Sequence, residues 1–179
     1  MDLDVAVSCE AASVLEAAAA GDEVAFRQVI VEHHDDMRRV ARYITRDAQL
    51  ADEATQAAWV IAWRKLGNVR DEAHLRPWLV SVTANEAKRV LRTRRRRAEV
   101  AMIAETATGS STESPEAGIA ALDLRAALGR LDADDRALLA MRYVAGFDSN
   151  ELAIAVGISP SGVRNRLERI CSRLRKELG

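Results

Sequence analysis

Apolar side chains recur at three- and four-residue steps along most of the chain. Between Asp22 and about Thr45, the residues Phe26, Val29, Ile30, Met37, Val40, Ala41 and Ile44 fall on one helical face. Asp22 reads as its N-cap, with Glu23 in the first turn. A second helix is predicted from about Ala48 to Leu66, with Leu50, Ala54, Ile61, Ala62 and Leu66 on one side. Trp59 and Trp63 stand one turn apart on a shared face, and Gly67-Asn68 ends the helix in a turn. A third helix starts near Glu72, with Pro77 expected in its first turn. It carries Leu75, Trp78, Leu79, Val82, Val90 and Leu91, then runs into Arg92 and Arg94–Arg97. The periodicity stops across residues 106–118, TATGSSTESPEAG, which read as a flexible linker. It resumes at Ile119 through Leu122, Leu128 and Leu131, and again at Leu138, Leu139, Met141, Tyr143 and Val144. Beyond Ala145-Gly146-Phe147, two short amphipathic segments, 149–156 and 160–178, flank Gly157-Ile158-Ser159. The pattern predicts an all-α chain of two small helical domains joined by a flexible linker. Its divisions are an acidic N-terminal extension over 1–21, a first module over 22–98, an acidic linker over 99–120 and a second module over 121–179.

Composition supports the helical reading. Of 179 residues 33 are Ala, the strongest helix former, while aromatics are only 4%, which disfavours a β-rich fold. No apolar run approaches the ~20 residues of a bilayer span, so no membrane insertion is expected. The opening MDLDVAVSCE is acidic and lacks the basic start of a secretory signal. Cys9 and Cys171 form no paired framework, and a reduced, cytoplasmic protein is expected.

Charge changes the picture. The formal net charge of -1 argues against a polyanion partner only until it is resolved along the chain. Residues 1–36 carry a net -8, residues 37–97 a net +9, residues 98–124 a net -5 and residues 125–179 a net +3. Two basic blocks set apart by acidic ones point to nucleic acid.

The C-terminal segments carry the most specific signal. Two helices joined by a short Gly-containing turn are a helix-turn-helix signature. Asp148 or Ser149 can cap the first helix, whose inner face is Leu152, Ala153 and Val156. Ser159 caps the second, with Pro160 at its first position. Val163, Leu167, Ile170 and Leu174 turn inward, which leaves Ser161, Arg164, Asn165, Arg166, Arg169 and Arg173 outside. Arg can bridge guanine O6 and N7, and Asn can bridge adenine N6 and N7, so this face is suited to the major groove.

With these residues in place, the stretch Leu131–Leu174 resembles region 4 of the extracytoplasmic-function (group IV) sigma factors of bacterial RNA polymerase. Phe26–Arg97 resembles region 2 of the same family, through DAQLADEATQAAWVIAW at 47–63 and LRPWLVSVTANEAKRVLRTRRRR at 75–97. The resemblance implies that Asp52, Glu53, Ala54, Thr55 and Gln56 meet the clamp helices of the polymerase β′ subunit. It places Asn68–His74 in a loop that captures an unstacked -10 base, ties Trp78 and Asn85 to strand opening, and sets Lys88, Arg89, Arg92, Arg94 and Arg95 along the -10 face. Ser159, Ser161, Arg164, Asn165, Arg166 and Arg169 would serve the -35 element. Leu128, Leu131, Leu138 and Leu139 would belong to the surface and core that meet the β flap. Core RNA polymerase, promoter DNA and an anti-sigma factor are the partners implied. The pattern departs from the family at Ala57, at Ala84 and at Ser161-Gly162.

The remaining residues offer little other chemistry. His33, His34, His74 and the two cysteines lie in no metal-ligand spacing, and no nucleophile triad or Gly-rich phosphate loop is present. Neither an enzymatic activity nor a cofactor or metal is expected. Two rival readings remain: a stand-alone helix-turn-helix regulator, and a sigma-like decoy that sequesters an anti-sigma factor. The first has no need of a region 2-like module, and the second would have lost its basic faces. The acidic start could screen the basic modules or serve only as a solubilising tail. A linker of about 20 residues reaches ~66–70 Å when extended, close to the ~68–72 Å of two duplex turns.

Overall fold

The computed structural model describes residues 13–104 and 119–178, and every regular element among them is helical. The linker expected at 106–118 and the first twelve residues lie outside the described residues.

Helix α1 (Val14–Ala19) falls inside the stretch assigned to the acidic extension. Ser13 and Glu16 form a reciprocal capping box, and Leu15 and Ala18 are buried against the next helix. Helix α2 (Glu23–Thr45) begins at the Asp22 cap, which accepts from Val24 N and Ala25 N at 2.7 and 3.0 Å. It ends at Arg46, which takes the left-handed conformation at φ 59°. Helix α3 (Ala48–Lys65) is capped by Asp47 and closes in a single 3₁₀ turn, Leu66–Asn68.

Helix α4 (Glu72–Ala104) is longer than the apolar pattern indicates, since the arginine run continues it rather than ending it. Its start also moves Pro77 out of the first turn. Pro77 is the sixth helical residue, where its missing N–H leaves the Ala73 carbonyl without the usual intrahelical donor.

Helix α5 (Ile119–Arg130) leads into α6 (Ala133–Leu139), which is capped by Asp132 and continued by a π-helical turn, Ala140–Val144. Ala137–Met141 are five consecutive buried residues, more than one stripe of a regular helix can turn inward. Helix α7 (Ser149–Val156) starts from a capping box between Asp148 and Glu151, so Asp148 and not Ser149 is the cap. Gly157 takes φ 71° in the turn, and α8 (Pro160–Leu178) follows.

Two buried clusters organise these helices. In one, Leu15, Phe26, Val29, Met37, Leu66, Leu75 and Leu79 join α1 to α4, with Trp59 and Trp78 half-buried at its edge. Phe26 meets Trp59 and Trp63 edge-on, at ring-centroid distances of 5.8 and 4.8 Å.

The other cluster draws on both halves of the described chain. Val40, Ile44, Val80, Ala84, Ala87 and Val90 of α2 and α4 share it with Leu138, Met141, Phe147, Leu152, Val163 and Ile170 of the C-terminal half. Polar contacts join the same halves. Arg136 Nε donates to the Ile44 carbonyl at 2.9 Å, and Arg76 Nη2 to the Ala145 carbonyl at 2.8 Å. The Arg76 guanidinium also lies 6.0 Å from the centre of the Phe147 ring.

Candidate nucleic-acid interface

The C-terminal face is built on a capped helix. Ser159 Oγ accepts from Gly162 N at 3.1 Å, so Gly162 occupies the third position of α8 beside the capping hydroxyl. A Cβ at Gly162 would lie 3.2 Å from that oxygen. Val163, Leu167 and Ile170 are buried, which turns Ser161, Arg164, Asn165 and Arg169 outward, all exposed. These four present the donors and acceptors that base edges and phosphates need.

Arg166 is placed differently. Its guanidinium binds Asp135 Oδ1 at 2.8 Å, while Arg173 engages the other oxygen of the same carboxylate. The Asp135 side chain is only 8% exposed, so one buried acid ties α6 to two positions, two turns apart, on α8. A groove of about 770 Å³ runs along this junction, lined by Asn165, Arg166, Arg169, Arg173 and Lys176 as well as Asp135. Asp135 was not legible as a site residue, because its partners lie 31 and 38 positions away.

On α4, Asn85, Arg89 and Arg92 recur at helical spacing and are exposed. Arg89 pairs with Glu86 at 2.6 Å, and Arg94 reaches Asp47 at 2.6 Å. The Asp47 carboxyl is held below the usual range, first by the Leu50 N–H it caps, with Arg94 adding to the effect against desolvation. Lys88 is turned toward the C-terminal half, where its Nζ lies 3.0 Å from Asp134 Oδ1. The Lys88 hydrogen bond holds the Asp134 carboxyl low. Arg95 is exposed near the end of the run. Trp78 is half-buried against the α1–α4 core, and Asn68 is exposed in the 3₁₀ turn.

The five residues assigned to the polymerase clamp divide by burial. Ala54 and Thr55 face inward, and Thr55 Oγ1 donates to the Ala51 carbonyl at 2.8 Å. Glu53 and Gln56 are exposed, and Asp52 binds Arg38 Nε at 2.7 Å on the surface between α2 and α3. The outward surface of the segment is therefore acidic and amide in character. Leu131, Leu138 and Leu139 are buried, and Leu128 is partly buried. Among the described residues no cluster of His, Cys, Asp or Glu could hold a metal ion, and no helix is long and apolar enough to cross a membrane.

Comparison with known proteins divides the chain into two matched regions. Residues 29–97 match the sigma-70 region 2 family and residues 121–174 the sigma-70 region 4 family. The ECF RNA polymerase sigma factor SigM of Mycobacterium tuberculosis is 30% identical over 168 residues, covering 94% of this chain and 84% of SigM. The chain belongs to the extracytoplasmic-function sigma factors.

The probable RNA polymerase sigma factor RfaY of Xanthomonas campestris is 32% identical over 168 residues, which cover 90% of this chain but only 42% of that longer protein. In fold, the chain is similar to the sigma factor RpoE of Bartonella quintana, solved in complex with the anti-sigma factor NepR. There the TM-score is 0.69 at 22% identity, covering 86% of this chain and 96% of that one. As a sigma factor the chain is a transcription regulator, and the fold expectation of regions 2 and 4 is met. The two basic faces described above lie one in each matched region.

Proposed function

We propose that this sigma factor binds core RNA polymerase through the exposed Asp52, Glu53 and Gln56 on α3, and through the α5–α6 surface at the β flap. Ala54 and Thr55 support that face from beneath. Promoter selection is divided between the two cationic faces. Asn68, Trp78, Asn85, Lys88, Arg89, Arg92, Arg94 and Arg95 serve the -10 element. Ser159, Ser161, Arg164, Asn165 and Arg169 read the -35 major groove, with Arg166 anchoring their helix to α6. Residues 22–98 and 121–179 are the two DNA-facing units in this reading. The protein acts in the cytoplasm, catalyses no reaction of its own, and is held in check by an anti-sigma factor.

The observation that carries the reading is the capped α8 with Arg164, Asn165 and Arg169 exposed on its outer face, in one chain with the cationic stripe of α4. A decoy that never meets DNA has no use for either face. Transcription in vitro with purified core polymerase and a genomic promoter library tests the proposal. Discrete transcripts that depend on the added chain are expected; well-folded protein that neither binds core nor starts a transcript overturns it.

A further inference from the structure

We propose that Arg38 is a positioning residue for core-polymerase binding: from α2 it fixes the Asp52 carboxylate of α3 in the orientation that a basic side chain of the polymerase clamp meets. The inference rests on the polymerase reading of α3 given above and extends that surface onto a second helix.

Two polar links cross the outer seam between α2 and α3. Arg38 Nε donates to Asp52 Oδ1 at 2.7 Å, and Trp59 Nε1 donates to His34 Nδ1 at 3.2 Å. His34 and Arg38 lie about one turn apart on α2, Asp52 and Trp59 about two turns apart on α3, and the two helices run in opposite directions along the seam. The exposed Gln56 falls between Asp52 and Trp59 at helical spacing, so Asp52 and Gln56 stand on the edge of α3 that borders α2.

The Arg38 and Asp52 side chains are 47% and 46% exposed, so the pair is within reach of a partner and adds little to folding stability. What it sets is geometry. With Oδ1 taken by the guanidinium, the carboxylate no longer turns freely, and Oδ2 is the acceptor left for a partner's cation. The same hydrogen bond leads the influences that hold the Asp52 carboxyl below its ordinary range, with the Arg38 and Arg42 charges adding to it against desolvation. Ordering the side chain before association removes part of the cost of binding. Arg38 also has an opposing effect, because its charge reduces the attraction between Asp52 and an incoming cation. The sign of an Arg38 substitution therefore separates positioning, which predicts weaker binding, from screening, which predicts tighter binding.

Binding of the fluorescently labelled full chain to purified core RNA polymerase, read by anisotropy, tests this in a double-mutant cycle. Arg38→Ala should weaken binding about five-fold, the ordering cost of one mobile side chain. Arg38→Gln places an amide nitrogen the same number of bonds from the backbone as Arg Nε, so it keeps the donor without the charge. It should bind within about two-fold of the unaltered chain. In an Asp52→Ala background, Arg38→Ala should cost nothing further. Arg27→Ala removes the same charge from an exposed α2 position about three turns away, and should change affinity by less than about two-fold. All of these variants should melt close to the unaltered chain, as an exposed pair contributes little. Unchanged or tighter binding by Arg38→Ala overturns the proposal. So does a loss that persists without Asp52, a loss that Arg27→Ala matches, or an Arg38→Gln chain as weak as Arg38→Ala. Substitution of Asp52, Glu53 and Gln56 together by Ala separates the two readings. If that triple change weakens core binding while Arg38→Ala does not, the clamp surface on α3 stands without the positioning role. If it leaves core binding intact, the clamp reading itself has failed.

Discussion

At the scale of single residues, Asp135 is a nearly buried acid shared by two arginines of α8. Removing one member of a buried ion pair leaves the other charge uncompensated, typically at a cost of about 3–5 kcal/mol. Arg173 is 54% exposed and can turn to water, so Asp135→Asn should destabilise the chain by less, about 2–3 kcal/mol by urea denaturation. A second residue sets a pH response. Burial above all, with Arg76 adding to it, lowers the His33 pKa against the pull of Glu32 and Asp36. Between the ordinary value near 6.5 and the lower folded value, the unfolded chain binds more protons than the folded one. Stability therefore falls as pH drops through that window and levels off below it. Melting temperature should be lower at about pH 5.5 than at about pH 7.5, and His33→Gln should reduce the difference.

At the scale of elements, local chemistry was readable wherever a side chain acts on its own helix. Asp22 and Ser159 cap as their positions indicate, and Gly157 takes the left-handed turn that separates α7 from α8. Legibility failed where distant contacts decide. Helix α1 has six residues and stands by burying Leu15 and Ala18 against α2, so its weak periodicity gave no cue. Spacing sets Arg166 on the outer face of α8 but does not reveal its partner Asp135, which comes from α6. The two arginines of α8 should accordingly separate by experiment. Arg164→Ala should lose about 1–3 kcal/mol of affinity on the -35 site and less on random DNA, with stability nearly unchanged. Arg166→Ala should instead lower the melting temperature and weaken binding to both DNAs alike. Equal losses for Arg164→Ala on the two DNAs would make that residue a phosphate contact.

At the scale of the whole molecule, the near-neutral total charge and the shared core combine into a salt-dependent balance. DNA binding releases counterions, so log K falls with log salt at about 0.9 per phosphate neutralised. The shared core is held mainly by apolar burial around Ile44, Met141 and Leu152, which salt does not screen. Its exposed ion pair between Lys88 and Asp134 contributes at most ~1 kcal/mol and weakens as salt rises. Salt therefore acts far more strongly against DNA binding than against the shared core. Small-angle scattering of the free chain should give a single-lobed particle with a radius of gyration of about 16–20 Å, near the value for a compact chain of 179 residues. That radius should change little between about 0.05 and about 0.5 M salt, while oligonucleotide affinity falls by orders of magnitude over the same range. A free chain that expands into two lobes in low salt would show that charge repulsion between the basic blocks outweighs the shared core. The modules would then be held apart by the same charge pattern that suits them to DNA.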